Sequence, residues 1–310
     1  MARFSIVIPL YNKEKYLAKT LNSVLSQSHT DFEIIIVNDG STDNSEAIIK
    51  GYIDSRISYF KQANQGAAAT RNAAINQANE PWIALLDADD YWYPNHLAEL
   101  NRLVEKYPDE RVFATASEVE RNGTLFPSHY QLLMDATAQD AVLNYFTNSY
   151  SSSLLHSSTT VLHKNVLEKV GDYDVSIKSG QDTDLYIRIA LAYQVVFSKK
   201  ITSRYIILSD GLFNSTTDMS HKANFDPYDD YVHEHAGLRK FLSLNRFSLA
   251  LFARRNGDIV NFRSIRSKIH LDDLNGKQRF LLKAPMPLVK MLLWFKKRME
   301  KRGRYLTAYQ

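Results

Sequence analysis

Three predominantly apolar runs, each followed at once by a polar turn, constrain this chain more than any other feature. They are residues 4–10 (FSIVIPL), 32–37 (FEIIIV) and 82–86 (WIALL), and they lead into Tyr11-Asn12, Asn38-Asp39-Gly40-Ser41 and Asp87-Ala88-Asp89-Asp90. A strand that is apolar at nearly every position on both of its faces has both faces buried, which a parallel sheet covered by helices on both sides provides. Helical patterns lie between the runs. Residues 15–26 carry Leu17, Leu21 and Leu25 on one face, residues 41–52 read as a helix capped near Ser41 or Thr42, and residues 66–79 are Ala-rich. A short strand is expected at 57–61. The predicted fold is α/β, with a Rossmann-like, mostly parallel sheet flanked by helices. Ligands of such sheets bind beyond the carboxyl ends of the strands, so the three polar turns predict a nucleotide-sized cleft.

Further along, residues 158–162 read as a strand, 165–170 as a short helix, 183–193 as a helix, and 195–197 and 203–208 as two strand-like stretches. Residues 209–227 lack periodicity and are rich in Ser, Thr, Asp and Asn, the pattern of a functional lid or a disordered segment. Beyond Pro227 the chain reads as helical. The expected division is a catalytic domain over 1–215 and a lid with a helical region over 216–310.

The 310-residue chain has no cysteine, which excludes disulfides, thiolate catalysis, Cys-bound zinc and iron–sulfur clusters. Its formal net charge is 38 − 34 = +4, and residues 283–304 contribute +7 of it (eight basic residues and Glu300), leaving −3 on the rest. A basic tail on a slightly acidic body suits an anionic surface and argues against wrapping in nucleic acid. In that tail Leu288, Leu292, Phe295 and Met299 recur at helical spacing, with Lys290, Lys297, Arg298 and Lys301 largely elsewhere. Two readings stay open: an interfacial helix on an anionic membrane leaflet, or a terminal helix that packs Trp294 and Phe295 on the body. No run is long enough to span a membrane, and residues 4–10, followed by Asn12, Lys13, Glu14 and Lys15, read as a strand rather than a signal segment. The expected location is the cytoplasm, with peripheral attachment to the inner face of the cell membrane if the tail is interfacial.

Several residue groups carry candidate chemistry. Asp87, Asp89 and Asp90 repel one another unless a cation neutralises them, and oxygen ligands suit Mg²⁺ or Mn²⁺. The alternative is a polar turn or helix cap. Asp39 at a strand end can accept a hydrogen bond from a nucleotide base, or hold an Asx turn. Arg71 can face a phosphate or a base near a helix start, or be a solvated helix residue. Asp182 and Asp184, in GQDTD, offer a general base with Asp184 or Arg188 in support, or a pair of dipole-stabilising acids. His156, His163, His221, His233 and His235 lack metal-binding spacing and read as surface or structural residues, with His221 in the irregular segment the one to follow.

Taken in order, FSIVIPLYNKEKYLAKTLNSVLSQ, FEIIIVNDGSTDNS, NQGAAATRNAAI, WIALLDADDYW and GDYDVSIKSGQDTDLYIRIA resemble family 2 of the inverting glycosyltransferases over roughly residues 3–210. The resemblance implies a GT-A nucleotide-sugar fold, to which the helical region read beyond Pro227 is a C-terminal extension. It implies that Asp39 contacts the base, usually uracil, and that Pro9, Tyr11 and Arg71 line the nucleotide pocket. Asp87 and Asp89 would form the D-x-D pair, with Asp89 the direct metal ligand beside the diphosphate and Asp87 among the nucleotide contacts. Asp182 matches the catalytic base. Gln181 stands where the family usually has Glu, which removes one negative charge beside it. The implied cofactor is Mn²⁺ or Mg²⁺. The implied activity is transfer from a nucleotide sugar, usually UDP-linked, to a glycan or lipid-linked acceptor in surface polysaccharide synthesis. A nucleotidyltransferase fits less well, because no Gly-rich, Lys-containing phosphate loop follows the first strand. A binding module without catalysis is opposed by the presence of both Asp89 and Asp182.

Overall fold

Alternation along the first strands sorts their side chains onto two cores. In β1 (Phe4–Leu10) and β2 (Phe32–Asn38), paired in parallel from Phe4↔Phe32 to Leu10↔Asn38, Ile6, Ile8, Ile34 and Ile36 face one side, while Val7, Ile35 and Val37 face the other. The first side is covered by α1 (Leu17–Leu25) through Leu17, Leu21 and Val24. The second is covered by α3 (Ala67–Asn76) through Ala68, Ala74 and Ile75. Each fully buried Val, Leu or Ile side chain among these contributes about 1.5–3 kcal/mol relative to exposure. A computed structural model describes residues 3–121, 123–207, 216–300 and 308.

Between α1 and α3 come α2 (Ser45–Lys50) and β3 (Ile57–Lys61), and β4 (Trp82–Leu85) follows. The remaining elements before the C-terminal helices are β5 (Tyr91–Trp92), α4 (His96–Lys106), β6 (Val112–Arg121), β7 (Thr124–Pro127), β8 (Asp140–Leu143), α5 (Tyr145–Asn148), β9 (Thr160–His163), α6 (Lys164–Val170), α7 (Gln181–Ala192) and β10 (Val195–Ile206). The strand order is β3-β2-β1-β4-β9-β6-β10-β5, with β7 beside β6 and β8 beside β10. From β3 to β4 every pairing is parallel, and β9 then enters antiparallel to both β4 and β6. This places residues 156–158, just before β9, next to the loop that leaves β4.

Two boundaries differ from the sequence reading. The helix expected from Ser41 begins at Ser45. Residues 41–44 are used instead to tie two strand-end loops together: Ser41 Oγ accepts from Asn12 N (3.0 Å), Asn12 Oδ1 from Thr42 N (2.8 Å), Asp43 Oδ2 from Glu14 N (3.0 Å) and Glu14 Oε2 from Asn44 N (3.0 Å). The two strand-like stretches expected at 195–197 and 203–208 are joined in one strand, β10, which ends at Ile206 and whose pairing with β6 shifts register between Ser198 and Ser203; residue 208 lies outside the described residues. The bulge accommodates Lys199 and Lys200, which interrupt the apolar pattern.

The C-terminal helices are α8 (Leu238–Arg255), α9 (Ile259–Ser267), α10 (Gly276–Lys283) and α11 (Met286–Glu300). Leu238, Phe241 and Leu242 at the start of α8 join the core under α7, whereas Leu244, Phe247, Ala250, Phe262 and Leu282 form a separate cluster among the helices. Of the lid-like segment, residues 209–215 lie outside the described residues. The rest holds two 3-10 turns, Met219–His221 and Asp226–Tyr231. His221 acts through its carbonyl, which accepts from Lys178 N (2.9 Å) and Ser179 N (3.1 Å), while its ring stands 3.8 Å from Asp218. Residues 301–304 of the basic tail also lie outside the described residues. Among the described residues, no helix is long and apolar enough to cross a membrane.

Candidate active site

The acidic loop after β4 is held from several sides. Thr20 Oγ1 lies 3.0 and 2.8 Å from the carbonyls of Ala88 and Asp90. Asp87 N donates to Ser158 Oγ (3.2 Å), and the Trp92 indole donates to the Ser158 carbonyl (2.7 Å). The three carboxylates then diverge. Asp87 accepts from Arg71 Nη2 (2.6 Å), Asp89 from Lys13 Nζ (2.5 Å), and Asp90 turns into the protein, where it accepts from Ser158 Oγ and from Ile206 N (2.9 Å). Two protein cations, Arg71 and Lys13, offset part of the repulsion expected from the sequence, whereas Asp90, turned inward, still feels the charges of Asp89 and Asp87.

Burial pushes the Asp87 carboxyl up, but Arg71, His156 and Lys13 outweigh it and hold the group below the ordinary carboxylate range. Burial pushes Asp89 up, against the pull of Lys13. Asp90 is pushed well up, by burial first and then by the charges of Asp89 and Asp87. A carboxyl raised in the folded state contributes stability below its unfolded value, about 3.9, and loses it as pH rises through the folded value. Ionised Asp90 therefore costs stability at neutral pH. Asp90→Asn is expected to melt about 2 °C or more above the parent at pH 8, with the difference closing as pH falls toward about 4. Calorimetric melts across pH check this, and a variant that melts lower at pH 8 contradicts it.

Asp39 is buried at the end of β2. Its Oδ1 accepts from Gln62 Nε2 (2.8 Å) and Gln65 N (2.9 Å), and its Oδ2 from Gly66 N (2.9 Å). Gly66 sits at φ +90°, a conformation that favours glycine, and starts α3. Asp39 thus holds the turn that aims α3, and one acceptor position on its carboxylate remains. Ala67, Ala68 and Ala74, three or four residues away on α3, flank Arg71 with small side chains, and the residue is only 5% exposed. The solvated alternative for Arg71 does not hold. Besides its bond to Asp87, the guanidinium lies over the Tyr173 ring (5.5 Å), and its Nη1 stands 3.9 Å from Asp182 Oδ1.

Asp182 lies in the first turn of α7 with its side chain 34% exposed. The turn before it depends on Gly180, at φ +89°, where a Cβ would meet Ala223 Cβ at 3.0 Å. Ser157 Oγ donates to Asp182 Oδ1 (3.2 Å). Asp184 is different in kind. Its Oδ2 accepts from Arg188 Nε (3.0 Å) and Nη2 (2.8 Å), its Oδ1 accepts from the Tyr228 hydroxyl (2.5 Å), and Arg188 also caps the carbonyls of Val170, Gly171 and Asp172. That pair is an architectural clamp. On the β1 side, Pro9 stands where pairing with β4 has already ended at Val7, so its missing N–H costs no ladder bond, and Tyr11 is exposed.

His156, read from the sequence as a surface or structural residue, is partly buried and close enough to Asp87 and Asp182 to feel their charges, a position that its spacing did not reveal. Its Nδ1 accepts from Ser158 N (3.1 Å), which leaves the ring proton on Nε2, and its ring packs on Tyr205 with centroids 4.4 Å apart. Burial lowers its pKa, opposed by the nearby charges of Asp87 and Asp182. The available signal was the run of hydroxyls that follows it, Ser157-Ser158-Thr159-Thr160, all buried. Such a run entering a sheet interior has polar partners to meet.

The contacts Lys13–Asp89, Arg71–Asp87 and Arg71–Asp182 thus bring the loops after β1 and β4, helix α3 and the start of α7 together at the carboxyl end of the parallel strands. The family described as "Glycosyl transferase family 2" matches residues 5–171, and the chain belongs to that family. Among its relatives, the glycosyltransferase GlyA of Streptococcus pneumoniae serotype 4 is 30% identical over 70% of this chain and 32% of its own length. The putative teichuronic acid biosynthesis glycosyltransferase TuaG of Bacillus subtilis is 34% identical over 45% of this chain and 57% of its own length. An uncharacterised glycosyltransferase of Rickettsia typhi is 29% identical over 64% and 61%. The chain therefore spans less than two thirds of these curated relatives. Its fold is shared with residues 1–349 of S. aureus TarS in complex with UDP-GlcNAc, with a TM-score of 0.59 at 18% identity, covering 86% of this chain and 90% of that one.

Proposed function

We propose that this chain transfers a sugar from a UDP-linked donor to a hydroxyl of a glycan or lipid-linked acceptor, with inversion at the anomeric carbon, as a step in building a surface polysaccharide. One observation carries the reading: a single buried guanidinium, Arg71, joins the acidic strand-end loop at Asp87 to the helix-borne Asp182. In this reading the first group faces the diphosphate and the second takes the proton of the attacking hydroxyl. TarS crystal structures contain UDP and UDP-GlcNAc, and TuaG is named for teichuronic acid biosynthesis, which supports the donor class and the kind of product.

In this reading Asp39, Pro9 and Tyr11 border the nucleotide, with Arg71 behind the diphosphate. Asp182 takes the proton of the acceptor hydroxyl as its oxygen bonds to the anomeric carbon. The bond from that carbon to the diphosphate breaks on the opposite face, and its electron pair leaves with UDP. Among the described residues no cluster of three or more His, Cys, Asp or Glu side chains is arranged to hold an ion. One carboxylate completed by diphosphate oxygens is, however, how Mg²⁺ and Mn²⁺ are commonly held. Asp89 would hold the ion once Lys13 yields, and the ion would supply charge neutralisation at the diphosphate.

The test is UDP release from a panel of UDP-sugars with and without Mn²⁺. Expected is Mn²⁺-stimulated release by the parent and loss of that stimulation in Asp89→Asn. Tight UDP-sugar binding with no release for any donor makes the chain a binding module and overturns the reading.

The basic tail enters the same proposal as an attachment to an anionic leaflet. Met291, Trp294 and Phe295 are 55%, 60% and 49% exposed on α11, in a segment that also carries Lys290, Lys296 and Arg298. The full chain is expected to sediment with phosphatidylglycerol vesicles, and the bound fraction to fall as salt rises from about 0.1 M to about 1 M. Binding that does not respond to salt, or no binding, favours packing of the helix on the body.

A further inference from the structure

Three buried donors near Asp182 make no hydrogen bond of good geometry among the described residues: Arg71 Nη1, the Tyr173 hydroxyl, which faces Asp182, and the Tyr186 hydroxyl, which faces Ser157. Their residues are 5%, 3% and 3% exposed. A buried polar group left unsatisfied is expensive, and three around one carboxylate call for a shared acceptor. Asp182 is the acceptor at hand. Arg71 Nη1 stands 3.9 Å from its Oδ1. Tyr173 is fixed beside that guanidinium by two bonds to the next residue of α3, Asn72 Nδ2 to the Tyr173 carbonyl (2.8 Å) and Tyr173 N to Asn72 Oδ1 (3.1 Å). Tyr186 lies four residues after Asp182 on α7, hence on the same face of the helix. Burial first, then nearby charges that include Asp182, push both phenols well up, so both remain proton donors at any working pH.

An ionised carboxylate offers about four acceptor positions. Ser157 already uses one. Arg71 Nη1 and Tyr173 can take two more after a small rotation of the side chain, and the fourth is left for the acceptor hydroxyl. Tyr186 suits the hydroxyl of Ser157, which can accept one bond while donating to Asp182, making a two-step chain whose members polarise one another. We propose that Tyr173 and Tyr186 are positioning residues: Tyr173 directly, and Tyr186 through Ser157, fix the Asp182 carboxylate with one acceptor position directed at the substrate hydroxyl. The proposal rests on the reading of Asp182 as the base.

The test uses the full chain and the variants Tyr173→Phe, Tyr186→Phe and Asp182→Ala, alone and combined. In thermal melts the Tm change caused by each Tyr→Phe substitution is expected to differ between the parent and the Asp182→Ala background. Changes that are equal in the two backgrounds show that the hydroxyls do not engage Asp182, and overturn the proposal. In UDP release from UDP-GlcNAc, each Tyr→Phe variant is expected to lose about tenfold in kcat with UDP affinity by calorimetry unchanged. The same substitutions are expected to have no further effect on the residual rate of Asp182→Ala. A kcat equal to the parent's, or a tenfold loss that persists in Asp182→Ala, also overturns it. Full activity of Asp182→Ala itself would instead remove the base reading, and the melts still report whether the hydroxyls and the carboxylate touch.

Discussion

Asp182→Asn is expected to lower kcat at least about 10²-fold and to leave UDP affinity within about twofold of the parent. The substitution keeps the size of the side chain and can keep its bond from Ser157 Oγ, so the start of α7 is not disturbed. It removes only the ability to take a proton. UDP in the proposed pose rests on the loops after β1, β2 and β4 rather than on α7, which is why its affinity survives. Asp184→Asn makes the informative comparison. That residue holds Arg188 through two bonds and Tyr228 through a third, and Arg188 in turn caps three carbonyls ahead of the helix. Weakening this clamp costs about 1.5–3 kcal/mol, the range for bonds to charged groups, and shows as a lower melting temperature. Initial rates, UDP calorimetry and melts on both variants separate the two roles. Normal transfer by Asp182→Asn would remove it as the base.

The elements legible in the sequence are those whose signal is local. Continuous apolar runs placed β1, β2 and β4 within a residue of their ends, and Leu17 and Leu21 marked the buried face of α1. The acidic loop and GQDTD stood out by composition. What stayed hidden depends on contacts across many residues. Arg71 sits in a helix of alanines and small polar residues, with no strong apolar stripe to show which face is inside, and only the arrival of Asp87 and Tyr173 makes its burial tolerable. Asp89 and Asp90 are neighbours of the same type, yet one meets Lys13 and the other meets Ser158 and the backbone of β10, a distinction that no spacing rule contains. His156 lies near Asp87 and Asp182 because β9 inserts antiparallel beside β4, a topological event that its own neighbourhood in sequence does not announce. The early start expected for α2 failed for a related reason: good capping residues at 41–43 found partners on residues 12–14 instead of on their own helix.

Arg71→Met is expected to lower stability by about 3–5 kcal/mol, a drop in melting temperature on the order of 10 °C, and to abolish measurable UDP release. The residue is buried and carries the charge that balances Asp87, so its removal strands a half-buried carboxylate beside Asp182 and Asp89. The pH dependence follows from signs. In the parent, Arg71 keeps Asp87 below the ordinary carboxylate range, and a lowered carboxyl contributes stability above its unfolded value that is lost only as pH falls through the folded value. Without Arg71, burial acts on Asp87 with less opposition and raises it, so protonation relieves the folded variant as the solution is acidified. The deficit of Arg71→Met relative to the parent is therefore expected to narrow from pH 8 to pH 5. Arg71→Lys keeps the charge but not the planar fork that reaches Asp87 with one nitrogen, faces Asp182 with the other and stacks on Tyr173. It should recover part of the stability and little of the activity. Melts of the two variants across pH, with UDP release measured alongside, check the argument. Equal stability of parent and Arg71→Met at pH 8 would mean that the guanidinium is not the charge holding the acidic loop and the start of α7 together.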